Sequence, residues 1–193
     1  MFDFYLASAS PQREKLLKKI VDDFQIMPSG FDESTVVKWP PEMHVTISAT
    51  GKASDIAGHI YDGIIIGSDT VVVLGTEIMG KPVDEADAAR MLENLSGKKH
   101  HVYTGICVIV REDGCSKRVA ADYDKTAVVF RDLSDTDIDR YLETGEYIGR
   151  AGAYAIQEQG QHLVDHIEGD FDNVVGLPVA KLRLMLAEIV NDG

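Results

Sequence analysis

The hydrophobic pattern of the first half of the chain predicts alternating strands and helices. Short apolar strands are expected at Phe2–Leu6 and Phe24–Met27. A helix is expected to begin at Pro11 with Ser10 as its N-cap. Another helix is predicted over Glu42–Ala57, because its apolar residues recur at helical spacing. This alternation is typical of an α/β sheet.

The most apolar stretch, Ile64–Val73, is predicted to be the central strand of a covered sheet because its β-branched residues leave no polar face. Gly67, Ser68, Asp69 and Thr70 interrupt it. A carboxylate is costly to bury there unless it is paired, hydrogen-bonded or bound to a metal. One interpretation is a bulge where the strand chemistry lapses. The favoured one is a catalytic or metal-binding Asp69 at the floor of a cleft, with Gly67 allowing a backbone or ligand to approach closely.

In the second half, a helix capped by Asp84 is predicted to run to about Leu95. Two long strands, Val102–Val110 and Arg118–Phe130, are predicted to form a hairpin across a turn that contains glycine. Ser134 is expected to cap the next helix. The antiparallel hairpin makes the predicted sheet a mixed one.

Residues 147–175 are rich in glycine and are expected to hold short strand-like pieces such as Ala153–Gln157. Pro178 is expected to open a final helix with an apolar stripe that packs in the core. The whole pattern predicts one α/β domain over residues 1–193, with a mixed twisted sheet and flanking helices.

Composition narrows the possible partners. The 193-residue chain carries a net charge of −13, which argues against binding nucleic acid through its general surface. No apolar run approaches the roughly 20 residues that span a bilayer. Two cysteines without a signal peptide suggest free thiols in the cytoplasm. A small anionic substrate would require a local cluster of Lys and Arg, a divalent cation, or both.

Several polar side chains are candidates for binding such an anion: Ser8, Arg13, Glu33, Lys52, Lys81 and Gln157. Taken singly, each has a structural interpretation, such as a helix cap for Ser8, a loop carboxylate for Glu33 and a solvated helix lysine for Lys52. Gly51-Lys52 is not the end of a phosphate-binding P-loop, because Thr46 stands where that loop needs its first glycine. It is the joint occurrence of these residues that favours a site.

The sequence resembles the Maf family of nucleoside triphosphate pyrophosphatases, also called septum formation inhibitors. The resemblance covers nearly the whole chain in order. The motifs that carry it are Leu6-Ala-Ser-Ala-Ser-Pro-Gln-Arg13, Asp32-Glu33, Ala49-Thr-Gly-Lys-Ala53, Gly67-Ser-Asp-Thr70, Gly80-Lys-Pro82, Leu95-Ser-Gly97, Val102-Tyr-Thr-Gly105, Ala151-Gly-Ala-Tyr-Ala-Ile-Gln157 and Val174-Val-Gly-Leu-Pro178.

This resemblance implies two lobes around a deep cleft, similar to inosine triphosphatases. It also implies hydrolysis of a nucleoside triphosphate to the monophosphate and pyrophosphate with a divalent cation, Mg²⁺ or Mn²⁺. Asp69 matches the catalytic carboxylate. We expect it to orient and deprotonate water, directly or while holding the metal with the help of Glu33. The phosphates are expected to be held by Arg13, Lys52 and Lys81 with Ser8, while Gln157 lies in the same cleft.

Base specificity is expected to depend on the positions of Gln12, Thr70 and Gln157. The branch of the family that acts on dTTP and UTP carries Arg, Thr and Gln there, and the branch that acts on 7-methyl-GTP carries Trp, Gln and Glu. This chain matches the pyrimidine branch except at Gln12, which leaves altered or broader specificity open. The competing class is a nucleotide-binding regulator of cell division without significant turnover. A homodimer is possible because the family often forms them.

Overall fold

The computed structural model describes residues 2–36 and 39–191. Its strands are β1 (Phe4–Leu6), β2 (Gln25–Ile26), β3 (Gly63–Leu74), β4 (Glu77–Met79), β5 (Lys99–Glu112), β6 (Cys115–Phe130) and β7 (Val164–Glu168). Its α-helices are α1 (Pro11–Leu17), α2 (Pro41–Ala57), α3 (Glu85–Leu95), α4 (Asp135–Leu142), α5 (Phe171–Val175) and α6 (Val179–Asn191). Short 3₁₀ helices cover Glu33–Thr35, Ala151–Ala153 and Glu158–Leu163.

The strands form one mixed sheet in the order β2-β1-β3-β5-β6-β7, with β4 paired to β3 beside this path. Strand β1 runs parallel to both β2 and β3. Strand β4 is antiparallel to β3, and β7 is antiparallel to β6. The predicted mixed α/β sheet with flanking helices is therefore confirmed.

Two compact units share the strands of this sheet. Unit 1 comprises the described residues up to Asp69, the segment Thr104–Asp124 and the described residues from Gly176 onward. Unit 2 comprises Thr70–Tyr103 and Lys125–Val175. Strands β3, β5 and β6 therefore contribute residues to both units. The assignment of residues 1–193 to one domain stays a prediction.

The core of unit 1 forms where α2 packs on the sheet. Ala49, Ala53, Ile56 and Ala57 of α2 are buried in one cluster, together with residues of β1, β3 and β5. The helix approaches the sheet unusually closely at two glycines. A Cβ atom on Gly67 would lie 2.3 Å from the backbone oxygen of Ala49, and one on Gly105 would lie 2.2 Å from that of Val45. The close approach predicted at Gly67 is confirmed, and its partner is the backbone of α2.

The core of unit 2 combines α3 and α4 with the ends of β3, β5 and β6 that belong to this unit. Its large buried side chains include Leu92, Leu95 and Phe130. The side-chain caps predicted for the helices are present. Asp84 accepts a hydrogen bond from the N–H of Asp87, and Ser134 forms a capping box with Asp137.

Several predicted boundaries and elements were wrong. The hairpin strands are longer than expected, because β5 begins at Lys99 and β6 begins at Cys115. No strand occupies Ala153–Gln157, where a 3₁₀ turn gives way to extended backbone. The strand of this region is β7, and the short helix α5 follows it. Within residues 2–36 and 39–191, no helix is long and apolar enough to cross a bilayer.

Candidate active site

Asp69 lies on β3, which continues from Gly63 to Leu74 without a break. The strand therefore does not lapse at Asp69 and Thr70. The Asp69 side chain is only 9% exposed. Side chains two residues apart on a strand point to the same face, so Asp69 shares a face with Gly67. That is the face covered by α2, because the missing side chain of Gly67 leaves room for the α2 backbone.

Lys52 of α2 provides the charge that compensates Asp69. Its Nζ lies 2.7 Å from Asp69 Oδ1 and 2.7 Å from Glu33 Oε1. The Lys52 side chain is 11% exposed, so it is not the solvated helix lysine that its sequence context allowed. One ammonium thus bridges two carboxylates, one buried and one that is 44% exposed. Such an arrangement resolves the cost of placing a carboxylate in an apolar strand.

The local sequence explains why these three groups meet. Ala49 and Ala53 lie against Gly67, so the intervening turn of α2 is held at the level of Asp69. Glu33 begins the 3₁₀ helix Glu33–Thr35. The helix is capped by Asp32, whose carboxylate accepts a hydrogen bond of 2.9 Å from the N–H of Ser34. Three separate elements therefore each deliver one charged side chain.

Ser8 and Arg13 form a second group of contacts in unit 1. Arg13 Nε donates to the backbone oxygen of Gly176 at 2.9 Å, and its Nη1 donates to Ser8 Oγ at 3.4 Å. Ser8 is buried and also accepts from the N–H of Ser10 at 3.2 Å. The guanidinium is thereby held at the first turn of α1. Gln12 occupies the same turn and is half-buried.

Two residues of this group were not predicted to be functional. Ser68 is fully buried and donates its hydroxyl to the backbone oxygen of Gly176 at 3.1 Å. That oxygen therefore receives both Ser68 and Arg13, which ties the turn before α6 to β3 and α1. Both Ser68 and Gly176 lie inside motifs that carry the family resemblance. Their place in these motifs was the signal by which the sequence could have identified them, because neither serine nor glycine suggests anion binding by itself.

The remaining candidates belong to unit 2. Thr70 is half-buried on β3, one residue beyond Asp69. Lys81 is exposed in the loop after β4, and the N–H of Gly152 donates to the adjacent oxygen of Gly80 at 3.0 Å. Gln157 is half-buried and is the N-cap residue of the 3₁₀ helix Glu158–Leu163. Backbone pairing therefore supports the chain at Thr70 and next to Lys81, and Gln157 lies where a 3₁₀ helix begins.

The donor set of Asp69 and Glu33 suits a hard divalent cation. Both carboxylates already have an oxygen at 2.7 Å from one positive group. Among the described residues, no three His, Cys, Asp or Glu side chains are grouped as a metal site. Mg²⁺ is commonly held by one or two carboxylates plus substrate phosphates, so two protein ligands fit this ion.

Known proteins are similar in sequence to this chain along nearly its whole length. The family described as Maf-like protein matches residues 3–189. A dTTP/UTP pyrophosphatase of Pelotomaculum thermopropionicum is 44% identical over 186 residues, which cover 96% of each chain. A dTTP/UTP pyrophosphatase of Moorella thermoacetica is 43% identical and covers 97% of this chain and 95% of its own.

One solved structure also resembles this chain, the nucleoside-triphosphatase/dITP/XTP pyrophosphatase of Mycobacterium abscessus. It covers 68% of this chain and 75% of its own, with 10% identity and a TM-score of 0.41. At this TM-score the likeness supports no conclusion about function.

Proposed function

The chain belongs to the Maf-like protein family, and we propose that it is a nucleoside triphosphate pyrophosphatase that acts on dTTP and UTP. The products are the nucleoside monophosphate and pyrophosphate. The observation that carries the proposal is the sequence identity of 41–44%, over at least 96% of this chain, to relatives named dTTP/UTP pyrophosphatase.

Asp69 is the proposed general base. Its carboxylate is buried, and Lys52 Nζ donates a hydrogen bond to its Oδ1 at 2.7 Å. This contact fixes the orientation of the carboxylate, so the oxygen Oδ2 can accept a proton from an attacking water. Positioning of this kind lowers the entropic cost of bringing water and the phosphorus atom together.

Asp69 and Glu33 are the proposed ligands of Mg²⁺ or Mn²⁺. When bound, such an ion neutralises phosphate charge and promotes ionisation of water. Lys52 contacts the same two carboxylates, so it keeps them close together before a metal arrives. Without this ammonium, repulsion between the carboxylates would favour their separation.

Arg13, Lys52 and Lys81 are the proposed phosphate ligands. They supply local positive charge in a chain whose net charge is −13. Arg13 is held by Gly176 and Ser8, so less side-chain freedom is lost when it binds an anion. Ser8 contributes by orienting the guanidinium.

Thr70 and Gln157 are the proposed determinants of pyrimidine selection, together with the position of Gln12. The amide of Gln157 can both donate to and accept from the edge of a uracil or thymine ring. Gln12 lacks the guanidinium of the pyrimidine branch, so we propose a broader range of accepted bases than in that branch. A cytoplasmic location, the absence of nucleic acid partners and a homodimer are also parts of this proposal.

The test compares wild-type protein with Asp69→Asn on a panel of canonical and modified nucleoside triphosphates. Pyrophosphate release is measured with Mg²⁺, with Mn²⁺ and with a chelator. The substitution keeps the shape of the side chain, and Glu33 still pairs with Lys52, so the variant is expected to fold. We expect kcat to fall by about 10²-fold or more.

Asp113→Asn is the matched control. Asp113 is exposed in the β5–β6 turn with φ of 52°, a conformation that Asn also adopts readily. We expect wild-type turnover from this control. Near-wild-type turnover by a folded Asp69→Asn protein would overturn the role of Asp69. If wild-type protein binds nucleotides but hydrolyses none of them, the chain is instead a nucleotide-binding regulator.

A further inference from the structure

A separate cavity of about 340 Å³ lies in unit 2, between α4 and the 3₁₀ helix Glu158–Leu163. None of Thr70, Lys81 and Gln157 lines it. Its volume lies in the range of small-molecule sites. The side chains that matter for its chemistry are Arg131, Arg140, Tyr141, Gln159, His162 and Leu163.

The polar side chains of this cavity are mainly hydrogen-bond donors. Within the part of the chain that the structure describes, neither Arg131 nor Arg140 forms an ion pair or a side-chain hydrogen bond. The same holds for the side chains of Gln159 and His162. The chain has 32 Asp and Glu residues against 19 Lys and Arg residues, so two arginines in one cavity that make no hydrogen bond or ion pair with a carboxylate among the described residues are unexpected.

Tyr141 adds a buried donor. Its side chain is almost fully buried, and its hydroxyl accepts a hydrogen bond of 2.9 Å from the N–H of Ala155. Burial raises the pKa of Tyr141 to about 12, so the hydroxyl keeps its proton at neutral pH. The hydroxyl oxygen is the acceptor in this bond, so its O–H group remains to donate.

Asp137 is the one carboxylate among the residues that line the cavity. It is occupied with the cap of α4, because Ser134 donates to it from its N–H at 2.9 Å and from its hydroxyl at 2.6 Å. These bonds lower the pKa of Asp137, and the charges of Arg131 and Arg140 lower it further. Both guanidiniums therefore lie close enough to influence the Asp137 carboxylate, and this carboxylate is already engaged in capping α4.

We propose that this cavity binds a small organic phosphate monoester. A phosphate offers three strong acceptor oxygens, and arginine forks match it in bidentate geometry. Two guanidiniums, an amide, an imidazole and a phenol provide more donors than a carboxylate can accept. Leu163 and the ring of Tyr141 supply an apolar wall for the organic part of the ligand.

The test is an NMR titration of the full chain with glycerol 3-phosphate, with glycerol and glycerate as matched probes. Backbone amide shifts report where each probe binds, so binding at the proposed active site is recorded separately through Ser8 and Asp69. We expect saturable shifts of the Gln159 and His162 amides with glycerol 3-phosphate. Glycerol is expected to produce none, and glycerate is expected to bind more weakly.

The double variant Arg131→Gln/Arg140→Gln is expected to raise the dissociation constant by about tenfold or more, since each lost bond involves a charged group. Both side chains are exposed, so the fold should persist, which the dispersion of the spectrum verifies. Arg183→Gln, an exposed arginine on α6, is the control for lost charge and should bind like wild type. Absent shifts, equal affinity in the double variant, or equal binding of glycerate would overturn the proposal. Pyrophosphatase activity has no bearing on these outcomes.

Discussion

Replacing Gly67 by alanine should separate α2 from β3 and disrupt the catalytic site without touching a charged residue. A Cβ atom at this position would lie 2.3 Å from Ala49 O, 2.8 Å from Ala53 N and 2.9 Å from Ala53 Cβ. Two of these three neighbours are backbone atoms of the helix, so no side-chain rotation relieves the overlap. The strand and the helix must move apart.

The magnitude follows from these distances. To restore the shortest one to 3.0 Å, the two elements must separate by about 0.7 Å, and overpacking of this kind costs about 1–3 kcal/mol. For a chain of this length, each kcal/mol lowers Tm by about 2–4 °C. Lys52 moves with α2 and Asp69 stays with β3, so their 2.7 Å contact is lengthened. A misplacement of about 1 Å in an active site can reduce the rate by about 10²-fold.

The assay combines calorimetry with kcat/KM for dTTP, measured well below the Tm of each variant. Gly58→Ala is the matched control, because Gly58 has a helical φ of −59° and its added Cβ would lie at 3.4 Å from the nearest atom outside its neighbours. A Gly-to-Ala change at such a compatible position is expected to stabilise by about 0.4–1 kcal/mol. If Gly67→Ala kept the Tm and kcat/KM of wild type, the close approach of α2 would not be what positions Lys52.

Three further results are expected. Glu33→Gln should raise the Mg²⁺ concentration for half-maximal activity by about tenfold or more, because charged ligands bind such ions best. Mn²⁺ binding measured by EPR should weaken in parallel. An unchanged metal requirement would show that Glu33 is not a metal ligand. Burial lowers the pKa of His100 from 6.5 to about 4. As the pH decreases between these two values, the unfolded state binds the proton and the folded state does not. The free energy of unfolding should therefore fall by about 1.4 kcal/mol per pH unit over this range. Urea denaturation of His100→Phe should lack this component, and identical pH profiles would refute the assignment. Gln12→Arg should raise kcat/KM for UTP by about tenfold through one charge-assisted hydrogen bond, and a value equal to that of wild type would count against a specificity role for this position.

The main elements followed from local pattern, but elements stabilised by distant pairing did not. Strand β7 carries only Val164 and Ile167 as apolar residues among three charged or ionisable ones, so its sequence lacks the alternation of a strand. It exists because it pairs with β6 over Ala127–Phe130. Conversely, Ala153–Gln157 has suitable strand residues but is not a strand, and the N–H of Ala155 donates to the Tyr141 hydroxyl. Pairing partners far along the chain decide such cases.

In the site, too, the local sequence predicted some features, and others depended on contacts between distant parts of the chain. The cost of burying Asp69 predicted that a partner exists, but the sequence could not say that the partner is Lys52. One signal was available: Lys52 is three residues after Ala49 and four before Ile56, so it borders the apolar stripe of α2. A lysine there can extend along the surface with its ammonium in water, or it can be a buried cation. It is buried only if the facing strand provides an anion to pair with it. The glycine at position 67 brings that strand within reach, because it lets the helix backbone come close enough for the ammonium to contact both Asp69 and Glu33. The charged group at the centre of the site therefore depends on a residue that has no side chain at all.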